Sequence, residues 1–221
     1  MIALARSPGR GVAAVLAGGR FAVALAGVAV ASALASIAST RFAGEVPLQD
    51  VVFGPRRSPL VGALIDALGV DLTATLVYTL ERSFGLLVLA TAFTPVLIWL
   101  LGATAVHAAA RLRGSRAPFG PYLVLFGYAT ALSRIPAEGA AALFGGEAGA
   151  LVQLVGLASL AWLAWVAWRG ITLHYGAPGE RALTILIVAV VLFYLVPLVL
   201  IVAAATAVVV AALALGYFTA P

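Results

Sequence analysis

Long apolar stretches separated by charged connections organise this chain. Five of the stretches are long enough, as helices, to cross a hydrocarbon core of about 30 Å. They cover residues 21–40, 84–110, 121–143, 148–168 and 182–210. The pattern predicts an all-α integral membrane protein, a bundle of about five transmembrane helices that forms a single domain over residues 1–221. Composition agrees, since 64% hydrophobic against 10% charged residues is far from the range of globular proteins.

The first and last stretches each leave an alternative open. Arginines before residue 21 and the small residues of ALASIAS are also typical of a secretory signal peptide, but we expect the segment to be retained as a span. After Arg181 no charged residue follows, which leaves enough chain for a helix of about 60 Å. A helical hairpin is possible there. We predict one long kinked helix instead, because between residues 182 and 215 only Pro197 could turn the chain.

The connection between the first two spans has helical character of its own. Ser58 and Pro59 suit an N-cap and a first helical position, Gly69 suits a stop, and Asp71 can cap a second short helix. Apolar residues recur on one helical face at Leu60, Val61, Leu64, Ile65 and Leu68. The segment 58–82 is therefore predicted to be external and amphipathic, with short interfacial helices, and a substrate lid is the alternative. The leader 8–17 is predicted to be a further interfacial helix.

The basic residues fix the predicted orientation. The net charge is +5, and all 13 basic residues are arginines, which together with the high alanine content is typical of a GC-rich bacterial genome. Alternate connections carry arginines in excess over carboxylates, at Arg6, Arg10, Arg20, Arg111, Arg113, Arg116, Arg169 and Arg181. The connection 40–83 carries four arginines but five carboxylates. With five spans the segments with excess arginine share one side, which predicts a cytoplasmic N-terminus in the bacterial cytoplasmic (inner) membrane. Because they are spread among loops, no nucleic acid is expected as a partner.

Arg134 and Glu138 are the two charged residues placed inside a predicted span. They lie four residues apart and so share a helix face. An arginine at mid-membrane costs about 2.5–3.5 kcal/mol, while each large aliphatic residue returns only about 0.3–0.6 kcal/mol. We therefore expect this span to pack inside the bundle or against another subunit, with the two residues paired to each other or to a neighbour. An ion or proton site is the functional alternative.

Other residues are candidates for contacts with lipids or partners. Arg111, Arg113, Arg116 and Arg169 can bind anionic headgroups. Trp162, Trp165 and Trp168 are typical of an interfacial aromatic belt. Small residues recur every four positions at Gly27, Ala31 and Ala35, which allows close helix packing within the chain or with a partner. The two histidines, His107 and His174, are interpreted as interfacial side chains.

Enzymatic chemistry is not expected from this sequence. The chain contains no cysteine, which excludes disulfides, thiolate nucleophiles and cysteine-bound zinc. It also contains no Walker loop, GxSxG or HExxH motif. The prediction is a non-catalytic protein without cofactor or metal.

Two stretches resemble bacterial members of the Yip (Ypt-interacting protein) family. The run LIWLLGATAVHAAARLRGSRAPFGPYLVLFGYATAL is similar to the family's second span, short basic glycine loop and third span, and VGLASLAWLAWVAWRGITLHYGAPGERAL is similar to the segment around the fourth. The matching residues are His107, Arg111, Gly114, Phe119, Gly127, Tyr128, Ala129, Arg169, Gly170, His174, Gly176 and Ala182. The resemblance implies five spans and a cytoplasmic N-terminus. The chain departs from the family at Pro136, which follows Arg134, and in its short leader, which argues against GTPase binding.

The function expected from these observations is a membrane scaffold or accessory subunit. Its partners would be membrane lipids, including anionic headgroups, and other membrane subunits or a second copy of the chain. The alternative is a transporter or channel component that uses Arg134 and Glu138. A water-accessible cavity that reaches Glu138 would favour the alternative.

Overall fold

Helices make up nearly all of the described structure. The computed structural model describes residues 4, 7–45, 52–54, 59–144 and 149–219. In these residues seven helices contain ten residues or more. They are α1 (Pro8–Gly18), α2 (Phe21–Glu45), α3 (Pro59–Leu68), α4 (Val70–Leu112), α5 (Phe119–Phe144), α6 (Gly149–His174) and α7 (Gly179–Thr219). The all-α prediction is confirmed.

Four of these helices contain a segment long and apolar enough to cross a membrane. The segments are Phe21–Arg41, Ala90–Leu112, Gly149–His174 and Gly179–Ala203. The chain is therefore a multi-pass membrane protein. The third predicted span, 121–143, forms helix α5 but is not among the four, because its charged and polar residues lower its hydropathy. A further candidate is the pair Val61–Leu68 and Val70–Ser83, bent by 117°.

Helix α3 begins and ends at the residues that the sequence indicates, but the next helix differs from the prediction. Pro59 is the first residue of α3, and Gly69, with φ of 80°, separates it from α4. Ser58 lies outside the described residues. The second short helix expected after Asp71 is instead the beginning of α4, which continues for 43 residues through the second span. The threonine hydroxyls in its first turns donate to the carbonyl four residues earlier, as Thr73 does to Gly69 at 2.8 Å.

Helix α5 is the central element of the bundle. It contacts α1, α2, α4 and α6. Ten of its residues are buried, including Tyr122, Phe126 and Thr130. This placement agrees with the expectation that the span packs inside the bundle, because Arg134 and Glu138 would be costly in contact with lipid.

Helices α2 and α5 lie side by side and run in the same direction. In the N-terminal half of each helix, a Cβ added at Gly127 would lie 2.9 Å from the Cβ of Ala24. At the other end, Arg41 Nη1 donates to the carbonyl oxygens of Ala142 at 2.8 Å and Leu143 at 3.0 Å. Because these carbonyls are at the C-terminus of α5, the guanidinium satisfies two acceptors that the helix itself cannot.

The small residues of α2 pack inside the chain. Gly27, Ala31 and Ala35 are all buried, and the most extensive contacts of α2 are with α5 and α4. The sequence left open whether this stripe faces the chain or a partner. Its position here serves the packing of the bundle itself.

The arginine-rich segments share one end of the bundle. Helix α1 contacts α5 and α6, and a Cβ on its Gly9 would lie 3.9 Å from Arg169 Nη2. The loop after α4 contacts the end of α6, where His174 Nε2 lies 2.7 Å from the Pro118 carbonyl oxygen. We call this the arginine-rich end. It comprises α1, the end of α4, the start of α5, the end of α6 and the start of α7.

Helix α7 is one continuous helix, as predicted, and not a hairpin. It contains 41 residues, with Pro197 inside it, and it contacts α4 and α6. From Tyr194 to Ala203 every side chain except that of Pro197 is exposed. From Tyr194 to Ala203, α7 is therefore hardly covered by the rest of the described chain.

Candidate functional sites

Aromatic and imidazole rings gather at the arginine-rich end. The members, which we call the histidine–tyrosine cluster, are His107, Phe119, Tyr122, His174 and Tyr175. They come from the end of α4, the start of α5 and the end of α6. Ring centroids lie 4.9 Å apart for His107 and Phe119 and 5.2 Å apart for Tyr122 and Tyr175. The cluster thus joins three helix ends.

Hydrogen bonds fix the orientation of these rings. His107 Nδ1 lies 3.0 Å from the Tyr175 hydroxyl. His174 Nε2 lies 2.7 Å from the Pro118 carbonyl oxygen, so this nitrogen carries a proton and donates. The Tyr122 hydroxyl donates to the Ala167 carbonyl oxygen at 3.4 Å. Each contact connects a different pair of chain segments.

The Tyr175 phenol of the cluster is uncharged. Burial raises the pKa of Tyr175, and the nearby Arg111 guanidinium opposes this only in part. The phenol therefore stays protonated at physiological pH. Within the described residues no three histidine, cysteine or carboxylate side chains come together as a metal site would require. The arrangement is suited to holding helix ends together.

The sequence alone indicates two separate interfacial histidines, His107 and His174, and does not reveal this cluster. Tyr122 and Tyr175 are not among its candidates at all. The sequence features that could have indicated the cluster are the His174-Tyr175 dipeptide at the end of α6 and the aromatic residues in the first turn of α5. Spacing along the chain cannot pair them, since 68 residues separate His107 from Tyr175.

A second candidate site is a cavity between α4, α5, α6 and α7. Its volume is about 400 Å³, which is within the usual range of about 300–1,000 Å³ for ligand pockets. Most of the lining is apolar and includes Ile98, Val106, Phe126, Leu163 and Phe193. The polar side chains that line it are Ser133, Arg134, Ser159 and Tyr194.

Arg134 and Glu138 form an ion pair within α5. Arg134 Nη2 donates to Glu138 Oε1, and the side chains are 30% and 13% exposed, respectively. The pairing is the one that the four-residue spacing indicates. Arg134 Nε is buried and has no hydrogen-bond partner among the described residues. Of the two residues, only Arg134 lines the cavity.

Of the residues proposed to contact lipids or partners, the arginines, Trp165 and Trp168 lie towards the arginine-rich end, whereas Trp162 lies in the middle of α6. Trp168 Nε1 donates to the Gly179 carbonyl oxygen at 3.2 Å, and the Arg169 guanidinium lies 5.9 Å from the Trp168 ring centroid. Trp165 is 39% exposed, whereas Trp162 is half-buried. Arg111 Nη1 donates to the Ser115 carbonyl oxygen at 3.2 Å. Arg113 and Arg116 are exposed and available to headgroups.

Comparison of the chain with protein-family models, with characterised proteins and with solved structures gives no match.

Proposed function

We propose that this protein is a non-catalytic scaffold or accessory subunit of a membrane complex. The observation that carries the proposal is the exposed part of α7, Tyr194–Ala203, in a helix longer than one span. As a helix of 41 residues, α7 is about 60 Å long, twice the thickness of a hydrocarbon core. No charged residue follows Arg181, so the surplus is apolar as well as long.

An apolar helix that extends beyond the bilayer is costly unless another surface covers it. The segment Gly179–Ala203 already has the length and hydropathy of a complete span. The helix then continues to Thr219. A helix of a second membrane protein, or a second copy of this chain, would supply the cover. In this proposal α7 is the surface that holds the partner.

The proposed topology has five spans with the N-terminus in the cytoplasm of a bacterial cell. Support for the fifth span comes from α5, which lies parallel to α2 from Gly127 beside Ala24 to Leu143 beside Arg41. Since Phe21–Arg41 has the length of a complete span, α5 covers the same depth. Support for the orientation comes from the shared position of the arginine-rich segments, which the positive-inside rule assigns to the cytoplasm. There Arg111, Arg113 and Arg116 would bind anionic headgroups.

We also propose a relationship to the Yip family. Several residues that carry the resemblance come together in space at the arginine-rich end. His107 packs against Phe119, and a Cβ on Gly170 would meet Leu125 at 2.6 Å and Tyr122 at 3.0 Å. Residues that match in two separate stretches thus contribute to one structural unit.

Site-specific photo-crosslinking tests the scaffold proposal. A photoreactive phenylalanine analogue replaces Leu200 on α7, and in a control it replaces Leu157 on α6. The two positions are matched, with 64% and 67% of the side chain exposed. We expect a crosslink to another polypeptide at Leu200 and only lipid adducts at Leu157. Lipid adducts alone at both positions would contradict the proposal.

The cavity beside Arg134 favours a second candidate function, a component of a transporter or channel. This function requires that water reach the Arg134–Glu138 pair. A Ser159→Cys variant would then react rapidly with a water-soluble thiol reagent, because Ser159 lines the same cavity. Slow reaction, together with unchanged transport in Glu138→Gln, would exclude this candidate.

A further inference from the structure

The cavity between α4, α5, α6 and α7 is amphipathic along its length. Arg134, Ser159 and Tyr194 each lie fifteen residues from the arginine-rich end of their helix, which is about 22 Å. Val106, Ala167 and Leu186 lie only six or seven residues from that end, which is about 10 Å. The polar side chains are therefore gathered at one end of the cavity, and the other end is apolar.

The cavity opens sideways between α6 and α7. Leu160 of α6 and Tyr194 of α7 both line it, and they are 62% and 69% exposed. Both residues belong to segments that have the length and hydropathy of spans. An opening between two such helices faces the lipid of the bilayer.

The direction of the cavity suits a hydrocarbon chain. Its volume is about 400 Å³. Its lining residues extend along the helices from Val106, six residues from the arginine-rich end, to Gly156, eighteen residues from that end, which is a distance of about 18 Å. A lipid acyl chain runs along the same direction as membrane-spanning helices and can therefore lie in the cavity.

The polar end offers a hydrogen-bond donor that is not used. Arg134 carries five N–H groups on a side chain that is 30% exposed, and within the described part of the chain its guanidinium donates to Glu138 through Nη2. Its charge is already balanced by Glu138. An uncharged acceptor is therefore favoured over an anion, because an anion would also meet the Glu138 carboxylate.

We propose that the cavity binds one ester-linked acyl chain of a membrane glycerolipid, with the ester carbonyl accepting a hydrogen bond from Arg134. Arg134 lies about 22 Å from the arginine-rich end, so about 8 Å of a 30 Å hydrocarbon core remain between it and the opposite interface. Its flexible side chain can carry the guanidinium to that interface. The ester region of the leaflet on the Phe144 side lies at that interface. The headgroup stays at the interface, and the chain occupies the apolar end beside Val106 and Leu186.

Native mass spectrometry of the purified protein tests this site. The probe is dioleoyl phosphatidylcholine in mixed micelles, compared with its ether-linked analogue, which has the same chains but no carbonyl. We expect the wild-type protein to retain the ester lipid, and to retain the ether lipid about tenfold less because a hydrogen bond to a charged donor is lost. Equal retention of the two lipids would overturn the assigned contact.

A variant that fills the cavity provides the second arm. Gly156 lines the cavity and has no atom within 4 Å of an added Cβ, so Gly156→Leu adds volume without a clash at its own backbone. We expect lipid retention to be lost in Gly156→Leu and kept in the control Ala158→Leu, an exposed position on the same helix. Equal retention in the two variants would overturn the proposal. Retention of another lipophilic carbonyl compound in place of the diacyl lipid would overturn it as well.

This inference is independent of the scaffold proposal, because it uses α4 to α7 only up to Tyr194. Loss of the crosslink at Leu200 would leave the lipid result unchanged. Equal retention of ester and ether lipids would likewise leave the crosslinking result unchanged.

Discussion

The Nδ1 atom of His107 lies 3.0 Å from the phenolic oxygen of Tyr175, although 68 residues separate the two in the chain. The contact joins the end of α4 to the loop that follows α6. Both rings also contact α5, since His107 packs against Phe119 and Tyr175 against Tyr122, with the ring planes tilted by 42° and 47°. The arginine-rich end is thus held by contacts among side chains as well as by the packing of apolar helices.

Removal of the Tyr175 hydroxyl tests how much this contact stabilises the bundle. Tyr175→Phe keeps the ring packing but leaves His107 Nδ1 without its partner. We expect the free energy of unfolding to fall by about 1 kcal/mol, the usual net value of one hydrogen bond. Unfolding by SDS in mixed micelles measures it. In the control Tyr194→Phe, whose ring is 69% exposed, the change should be close to zero.

The burial of Tyr175 predicts how stability depends on pH. Its pKa is raised above the ordinary value of 10.0, chiefly by desolvation. Above about pH 10 the unfolded chain therefore loses this proton while the folded protein keeps it, so stability falls as pH rises. We expect the free energy of unfolding to decrease more steeply between pH 9 and 11 in the wild-type protein than in Tyr175→Phe. Parallel curves would contradict the effect of burial.

Most of the helices could be predicted from the sequence because apolar length alone defines them. Pro59 and Gly69 even fixed the ends of α3, since proline and glycine restrict the backbone wherever they occur. The start of α4 could not be found in this way. Nothing between Val70 and Thr94 interrupts a helix, so the boundary between an external helix and a span has no local signal.

Gly127 gives a direct test of the close packing between α2, α4 and α5. A Cβ at this position would lie 2.8 Å from Trp99 Nε1 and 2.9 Å from the Cβ of Ala24. The Trp99 side chain cannot move freely, because it is buried and its Nε1 donates to the Leu123 carbonyl oxygen at 2.8 Å. We expect Gly127→Ala to lower the free energy of unfolding by about 1–3 kcal/mol through overpacking.

The matched control for Gly127 is Gly139 on the same helix. An added Cβ at Gly139 has no atom within 4 Å. Gly139→Ala should therefore raise the free energy of unfolding by about 0.5–1 kcal/mol, because alanine favours the helix. Opposite signs for the two variants in the same SDS titration would establish the close approach at Gly127. A gain in both would contradict it.

Whether a candidate site can be predicted from the sequence depends on how many helices contribute to it. The four-residue spacing of Arg134 and Glu138 is enough to predict their ion pair, because one helix supplies both side chains. The cavity and the histidine–tyrosine cluster each require three or four helices. Their residues could not be assembled from the sequence, since the register between helices depends on packing contacts such as Gly127 on Trp99.

The Arg134–Glu138 pair predicts a strong difference between single and double variants. Glu138→Gln leaves the Arg134 guanidinium without a counter-charge, which should cost about 3 kcal/mol, the lower end of the range for buried pairs because Arg134 is 30% exposed. The double variant Arg134→Met with Glu138→Leu removes both charges and should be close to the wild-type protein in stability. A double-mutant cycle in mixed micelles measures the coupling. Additive losses would show that the pair contributes nothing.

The absence of cysteine from the chain makes the proposed topology directly testable. Each introduced cysteine is the only one, so labelling by a membrane-impermeant maleimide reports a single position. Ser115→Cys lies in the loop between α4 and α5, and Asp66→Cys is exposed on α3. With the arginine-rich end in the cytoplasm, we expect Asp66→Cys to react in intact cells and Ser115→Cys to react only after permeabilisation. The reverse pattern would place the arginines outside, contrary to the positive-inside rule, and would also exclude anionic headgroups of the inner leaflet as ligands of Arg111, Arg113 and Arg116.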